Sequence, residues 1–193
     1  MMYKTKLSLH DANGQRKYLN EAELRRFLAC TKNKPVHIRL FCQLLFYTGA
    51  RISEIHNLSV DRLDFANKTV VLETLKKRRR GVFREIPLPD FLLEDLETYT
   101  QNLQTSDPSG RLWNFSLRTA SRYVKTIMDE AQIDCVRGSS KSLRHGYAVN
   151  AVQKVPITLV KKWLGHCNLE TTAIYLDIIG SEERVIAKTV WVM

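Results

Sequence analysis

No stretch of the 193-residue sequence reaches about 18 consecutive apolar residues, so no membrane-spanning helix is readable. Met1 to His10 mixes polar and apolar side chains and lacks the charged start, apolar core and cleavage site of a secretory leader. A cytoplasmic protein is expected. Cysteine is sparse. Cys30, Cys42, Cys135 and Cys167 form no CxxC pair, and no histidine stands at metal-ligand spacing to two of them. That pattern argues against zinc and reads as reduced, mostly buried thiols. There is no P-loop and no clustered carboxylate site. Internal repeats and low-complexity tracts are missing too, which leaves one domain with a small appendage at most.

What is abundant is positive charge. Thirty Lys and Arg stand against twenty Asp and Glu, a formal net charge of +10. Such an excess favours an anionic partner, nucleic acid first and a membrane surface second. The cations cluster: Lys76 to Arg80 is an unbroken basic run, and Lys161-Lys162 and Arg118/Arg122/Lys125 add to it. The hydrophobic content, 44%, suffices for one well-buried core.

The periodicity predicts a mainly α domain with a small antiparallel β-hairpin, an α+β class. Asn20 to Glu23 resembles a capping box, followed by Leu24, Phe27 and Leu28 at helical spacing. Further helices are expected over Val36–Tyr47 and Ile52–Leu58. The period then shortens, with Thr69–Leu75 and Val82–Ile86 reading as two strands around a basic turn ending at Gly81. Asp90 is expected to cap a helix running to Gln104. Helices over Ser116–Ala131, Ser142–Val152 and Ile157–Leu164 come next. Asn168 is expected to cap a short helix holding Tyr175, and Glu182–Trp191 reads as a last amphipathic helix.

Three segments carry chemistry. In Thr48-Gly49-Ala50-Arg51-Ile52-Ser53-Glu54-Ile55, a cation sits at a helix start, where outward-pointing N–H groups also suit a phosphate. A solvated arginine explains that segment about as well when it stands alone. In Lys141-Ser142-Leu143-Arg144-His145-Gly146, the cations Lys141 and Arg144 stand three residues apart and share a helix face, itself a common surface pattern. In Leu164-Gly165-His166 and the residues up to Tyr175, a lone histidine after glycine is usually a helix stop, and a lone helix tyrosine is usually core.

Read in order, the three segments resemble the tyrosine recombinase (phage integrase) family. Its signature is T-G-x-R-x-S-E-[LI], then [HK]-x-x-R, then L-G-H, with a tyrosine nine residues beyond that histidine. Arg51, Lys141, Arg144, His166 and Tyr175 occupy those positions. The joint pattern is far more specific than its parts. The resemblance implies the family's catalytic-domain fold and a nucleophilic Tyr175 that forms a 3′-phosphotyrosine, with Arg51 and Arg144 clamping the phosphate and His166 donating to it. It also implies a lysine on the β-hairpin as general acid, and a near-isoenergetic exchange that needs neither cofactor nor metal, in keeping with the missing P-loop and carboxylate cluster. Lys76 is favoured because it directly follows the apolar strand residues, with Lys77 the neighbouring choice. Arg78, Arg79 and Arg80, and on another helix Arg118 and Arg122, read as grips on the DNA backbone. Glu54 matches the family's acidic position and can orient an active-site cation, although an ordinary helix ion pair fits nearly as well. Lys141 stands where histidine is commoner. Histidine titrates near neutrality and lysine does not, so two roles stay open for it, general base or charged donor to phosphate.

The expected organisation is a single catalytic domain over 1–180 and a C-terminal helix over 181–193, docking on a neighbouring subunit or on its own core. No separate N-terminal DNA-binding domain is expected. The expected partner is double-stranded DNA, bound by a homo-oligomer, a tetramer by resemblance. Tetramer assembly or an accessory DNA-bending or partner protein is expected to compensate for the absent half of the clamp, and action at the bacterial nucleoid is expected. Two other functions share these features: a DNA-binding regulator without recombination activity, and a nicking-closing enzyme like type IB topoisomerases.

Overall fold

A computed structural model of the chain describes residues 9–74, 81–103, 110–134, 137–176, 184, 187 and 188. Eight α-helices and a three-stranded antiparallel sheet are found among them. Helix α1 (Glu21–Thr31) opens as its sequence predicts. Asn20 accepts the Glu23 amide and Glu23 accepts the Asn20 amide, so both arms of the capping box are made. Arg16 locks the box by gripping both carboxylate oxygens of Glu23 at 2.8 and 2.9 Å.

Helix α2 (Val36–Thr48) runs through the middle of the main core, burying Leu40, Phe41, Leu44 and Leu45. Gly49 ends it in the left-handed region at φ 59°. A side chain there is excluded twice over, because a Cβ would also lie 2.2 Å from the Tyr147 ring. Helix α3 (Ile52–His56) follows at once and is shorter than expected.

The sheet has one more strand than the sequence predicts. β1 (Leu63–Asp64) pairs with β2 (Thr69–Glu73), which pairs with β3 (Phe83–Pro87). A two-residue strand has no period to detect. On the inward face Val70 lies opposite Ile86, and Leu72 lies opposite Arg84. The hairpin tip, 75–80, lies outside the described residues.

Helix α4 (Asp90–Gln101) starts differently from the expectation. Pro89 is its N-cap and Asp90 its first residue, with an ion pair to Lys68 in place of a cap bond. Proline supplies a preset backbone angle, and an acid in the first turn suits the helix dipole without capping it. Helix α5 (Leu117–Glu130) is capped by Ser116, and α6 (Ser140–Val152) by Ser139. Helix α7 (Ile157–Leu164) ends at Gly165, again left-handed at φ 64°. Beyond it, α8 (Glu170–Ala173) begins after Leu169 and has no side-chain cap, so Asn168 does not cap it. Tyr175 lies past the α-helix, in a 3-10 turn over Ile174–Leu176.

A second, smaller core forms under this last turn from Leu9, Tyr18, Ala148, Val149, Val160, Leu164 and Tyr175. It joins the lead-in segment, α6 and α7 to the tyrosine turn. Cys42 is buried, Cys30 half-buried and Cys167 exposed, so deep burial holds for Cys42 and not for the thiols as a class. Among the described residues no helix is long and apolar enough to cross a membrane.

Candidate active site

The first anchor is a buried charge chain. Arg51 is the residue preceding α3, and its amide and guanidinium both donate to Glu54, at 2.9 and 3.0 Å. Arg84 of β3 shares Glu54 Oε2 with the Arg51 amide, its Nη2 donating there at 2.6 Å. The Arg84 side chain is 4% exposed and that of Glu54 fully buried, whereas Arg51 remains 32% exposed. Burial pushes the Glu54 carboxyl up, but the Arg84 and Arg51 guanidinium groups outweigh it and hold the pKa below the usual carboxylate range. Arg84 also donates to the Trp163 carbonyl at 2.7 Å and the Thr74 hydroxyl at 3.0 Å. It thereby ties the sheet to the end of α7. Glu54 is thus paired with both Arg51 and Arg84.

The second anchor is Arg144 on α6, which is buried. Its guanidinium donates to the Gly49 carbonyl and the Leu164 carbonyl, both at 2.7 Å. These are terminal carbonyls of α2 and α7, the negative ends of two helix dipoles, so one cation caps both. Burial and the nearby Arg51 lower the Arg144 pKa to about 10, which leaves it charged at neutral pH. Its Nη2 also donates to Nε2 of His166 at 3.0 Å. A guanidinium has no acceptor, so Nε2 carries a lone pair and the ring proton sits on Nδ1. Nδ1 then donates to the buried Thr172 hydroxyl at 2.9 Å.

The third anchor is Tyr175. The residue is 2% exposed, and its ring stacks near His166 at a centroid distance of 6.3 Å. Its hydroxyl is hydrogen-bonded to Nδ1 of His145 at 2.9 Å. Burial raises the phenol pKa, with Arg144 and Arg51 opposing. A cleft of about 440 Å³ is lined by Arg51, Lys141, Arg144, His145, His166 and Tyr175 among others. Six residues drawn from three distant sequence segments therefore meet around one cleft. The basic pair Lys161-Lys162 lines an adjoining groove that shares His166.

Other predicted residues do not meet there. Arg118 and Arg122 are exposed on α5 and line neither cavity, because the buried stripe Ala120, Val124, Ile127 turns them outward. Lys76, Lys77, Arg78, Arg79 and Arg80 lie outside the described residues. Three residues at the site are given no role by the sequence reading, although His145 and Thr172 lie within its motif segments. Arg84 had a readable signal, a charge at the inward phase of a strand beside Ile86. His145 had a weaker one, four residues beyond Lys141 on the same helix face. Thr172 had none.

A model of the phage integrase family matches residues 17–180. The chain belongs to the phage integrase family. A tyrosine recombinase of Pseudothermotoga lettingae is 32% identical over 171 residues, covering 86% of this chain and 58% of the relative. The tyrosine recombinase XerA of Thermococcus onnurineus is 30% identical over 170 residues, covering 84% and 58%. This integrase-family chain thus spans less than two thirds of the length of those relatives. Among solved structures, XerA recombinase superposes with a TM-score of 0.77 at 21% identity, covering 89% of this chain and 64% of that one. The catalytic domain of bacteriophage HP1 integrase superposes at 0.58 and 22% identity, covering 89% and 93%. Mostly helical architecture around a small antiparallel sheet is therefore the family's fold as well as this chain's.

Proposed function

We propose that the chain is the catalytic domain of a site-specific DNA recombinase that cleaves and rejoins strands through a phosphotyrosine. The observation that carries this is the convergence of Arg51, Lys141, Arg144, His166 and Tyr175 on one cleft. Tyr175 attacks the scissile phosphorus. A 3′-phosphotyrosine forms, and the 5′-oxygen leaves with a proton from the hairpin lysine, assigned to Lys76. A 5′-hydroxyl from another strand reverses the step, so bond energy is conserved without ATP. Charge gathers on the non-bridging oxygens in the transition state. Arg51 and Arg144, held in place before DNA binds, stabilise it with little reorganisation beyond one exchanged Arg144 hydrogen bond. Against the single Glu54 carboxylate, Arg51, Arg84, Arg144 and Lys141 leave the cleft region net positive, as a phosphodiester requires.

His166 needs one adjustment to act as a phosphate donor. Its Nε2 accepts from Arg144, so donation calls for a proton on that nitrogen. A phosphate oxygen taking over the Arg144 donor frees Nε2 to be protonated. Thr172 then keeps the ring in place through Nδ1. Thr172→Val, nearly equal in volume, leaves that N–H without its acceptor. Adduct formation is expected to slow by about tenfold or more through misplacement of the ring, with a stability loss of about 1–3 kcal/mol. Single-turnover cleavage and urea unfolding read the two effects separately.

The proposed partner is double-stranded DNA, with a homo-oligomer, a tetramer, assembling on it. The assay is covalent capture. Randomised duplexes enriched for binding to the chain are nicked beside the cut, so the released fragment diffuses away and the adduct accumulates on a denaturing gel. Binding without any adduct would overturn the recombinase reading in favour of a DNA-binding regulator. Plasmid relaxation without two-site exchange would favour a topoisomerase-like enzyme. Within the assay, Lys76→Ala is expected to stall on an ordinary phosphodiester and to recover with a 5′-thio leaving group, which needs no proton. Recovery by Lys77→Ala in its place moves the acid one residue along.

A further inference from the structure

The proposed strand transfer needs a group to take the proton that Tyr175 loses, and the family's usual position for such a group holds a lysine here. An ammonium has three donors and no acceptor. Lys141 lines the cleft, but among the described residues the Tyr175 hydroxyl is bonded to a different side chain of the same helix, His145. One turn of α6 separates the two.

We propose that His145 is the general base for Tyr175 and that Lys141 is a charged donor to the phosphate. The inference rests on Tyr175 being the nucleophile. Its geometry is already that of a proton transfer, with Nδ1 2.9 Å from the reacting oxygen and the rings 5.7 Å apart. The ring is half-buried and lines the same cleft as both arginines.

Balance is kept at each step. The Oη–P bond forms as the phenolic proton passes to Nδ1, giving an imidazolium. The P–O5′ bond breaks, and the 5′-oxygen takes its proton from the hairpin lysine. In rejoining, the incoming 5′-hydroxyl returns a proton to that lysine, and His145 returns its own to the departing Tyr175 oxygen. His145 is therefore base in cleavage and acid in religation, as microscopic reversibility demands.

The surroundings keep the ring ready to accept. Burial lowers the His145 pKa to about 4, with Lys141, Arg144 and Lys17 adding to the effect, so the ring is neutral at pH 7. So weak a base does not remove the phenolic proton in advance. The transfer accompanies P–O bond formation, which makes the phenolic proton far more acidic. A phosphodiester seated between Arg51 and Arg144 also neutralises part of the cationic field and raises the basicity of the ring at the moment it is needed.

The test separates a base from a mere positioning contact. Asparagine places an amide oxygen near the Nδ1 position, so His145→Asn keeps an acceptor but cannot carry a proton. Both His145→Asn and His145→Ala are expected to form adduct about 10²–10⁴-fold more slowly than the wild-type chain, on the same nicked duplexes and with DNA binding retained. Replacing Tyr175 with the more acidic difluorotyrosine is expected to restore at least part of the loss in His145→Asn and none in Lys141→Ala. The proposal falls if His145→Asn cleaves at the wild-type rate, since the contact then only positions Tyr175. It falls equally if fluorination rescues Lys141→Ala and not His145→Asn. Tyr175→Phe runs alongside: an adduct from that variant overturns the nucleophile itself, a failure distinct from that of His145. Should His145→Ala fail to bind DNA, the comparison of His145→Asn with its fluorinated form still decides.

Discussion

Tyr175→Phe is expected to eliminate the covalent protein–DNA adduct altogether while leaving DNA affinity unchanged. The change removes one oxygen atom, and the ring, which fills the small core with Val160 and Leu164, keeps its packing. The hydroxyl has its described hydrogen bond with Nδ1 of His145, so the fold loses about 1 kcal/mol at most. The proposed phosphate clamp is untouched, because Arg144 is held by the Gly49 and Leu164 carbonyls and Arg51 by Glu54. Binding and chemistry therefore separate cleanly. A gel shift on enriched duplexes reads the first, and denaturing electrophoresis of the nicked substrate reads the second. A variant that still traps DNA covalently shows that another residue attacks.

Arg84→Met is expected to produce the largest stability loss, about 3–5 kcal/mol, the cost of leaving a buried carboxylate without its main partner. Arg84 and Glu54 are both sealed from water, and only the partly exposed Arg51 remains to balance the charge. Methionine fills similar space but supplies none of the donors that reach Glu54, Thr74 and the Trp163 carbonyl. The sign of the pH dependence follows. The Glu54 pKa is lower in the folded state than the ordinary carboxyl value of about 4.3. Its ion pair thus contributes stability above that value and loses it as pH falls through the folded pKa. The gap between wild type and Arg84→Met in urea unfolding should be widest near neutrality and narrow in acid. Adding Glu54→Leu removes the stranded charge, so the double variant should regain much of the stability without regaining cleavage. By contrast, Arg51→Ala breaks a partly exposed pair worth about 0.2–1 kcal/mol, yet removes a proposed phosphate ligand and is expected to slow cleavage by about 10²–10³. Stability and rate move in opposite proportions at the two ends of one charge chain.

Local chemistry was legible wherever it is written within a few residues. The capping box at Asn20 and Glu23 is one case, the glycine stops at Gly49 and Gly165 are others, and so is the Arg51–Glu54 pairing inside one turn. Errors came where several local solutions were compatible with the same residues. Asp90 and Asn168 both have cap chemistry, but Pro89 already presets the first turn of α4, and α8 begins one residue later, after Leu169. The strand at Leu63–Asp64 is defined by its pairing to Val70 and Thr69, which no period within the segment announces.

By itself, then, the sequence determined the family, through the order and spacing of three short motifs, together with helix ends and strand phases set by backbone preferences within a turn or two. Tertiary structure alone decided which atoms meet. Arg144 is aimed by the carbonyl ends of two helices far from it in sequence, Glu54 is shared between α3 and β3, and the Tyr175 hydroxyl rests on His145, not on Lys141. The physical reason is that spacing along a helix or strand sets the direction of a side chain, while hydrogen-bond partners at 2.6–3.0 Å are chosen by how the elements pack. A tyrosine set nine residues beyond His166 becomes a nucleophile candidate by sequence, and acquires a base only when α6 is packed against its turn.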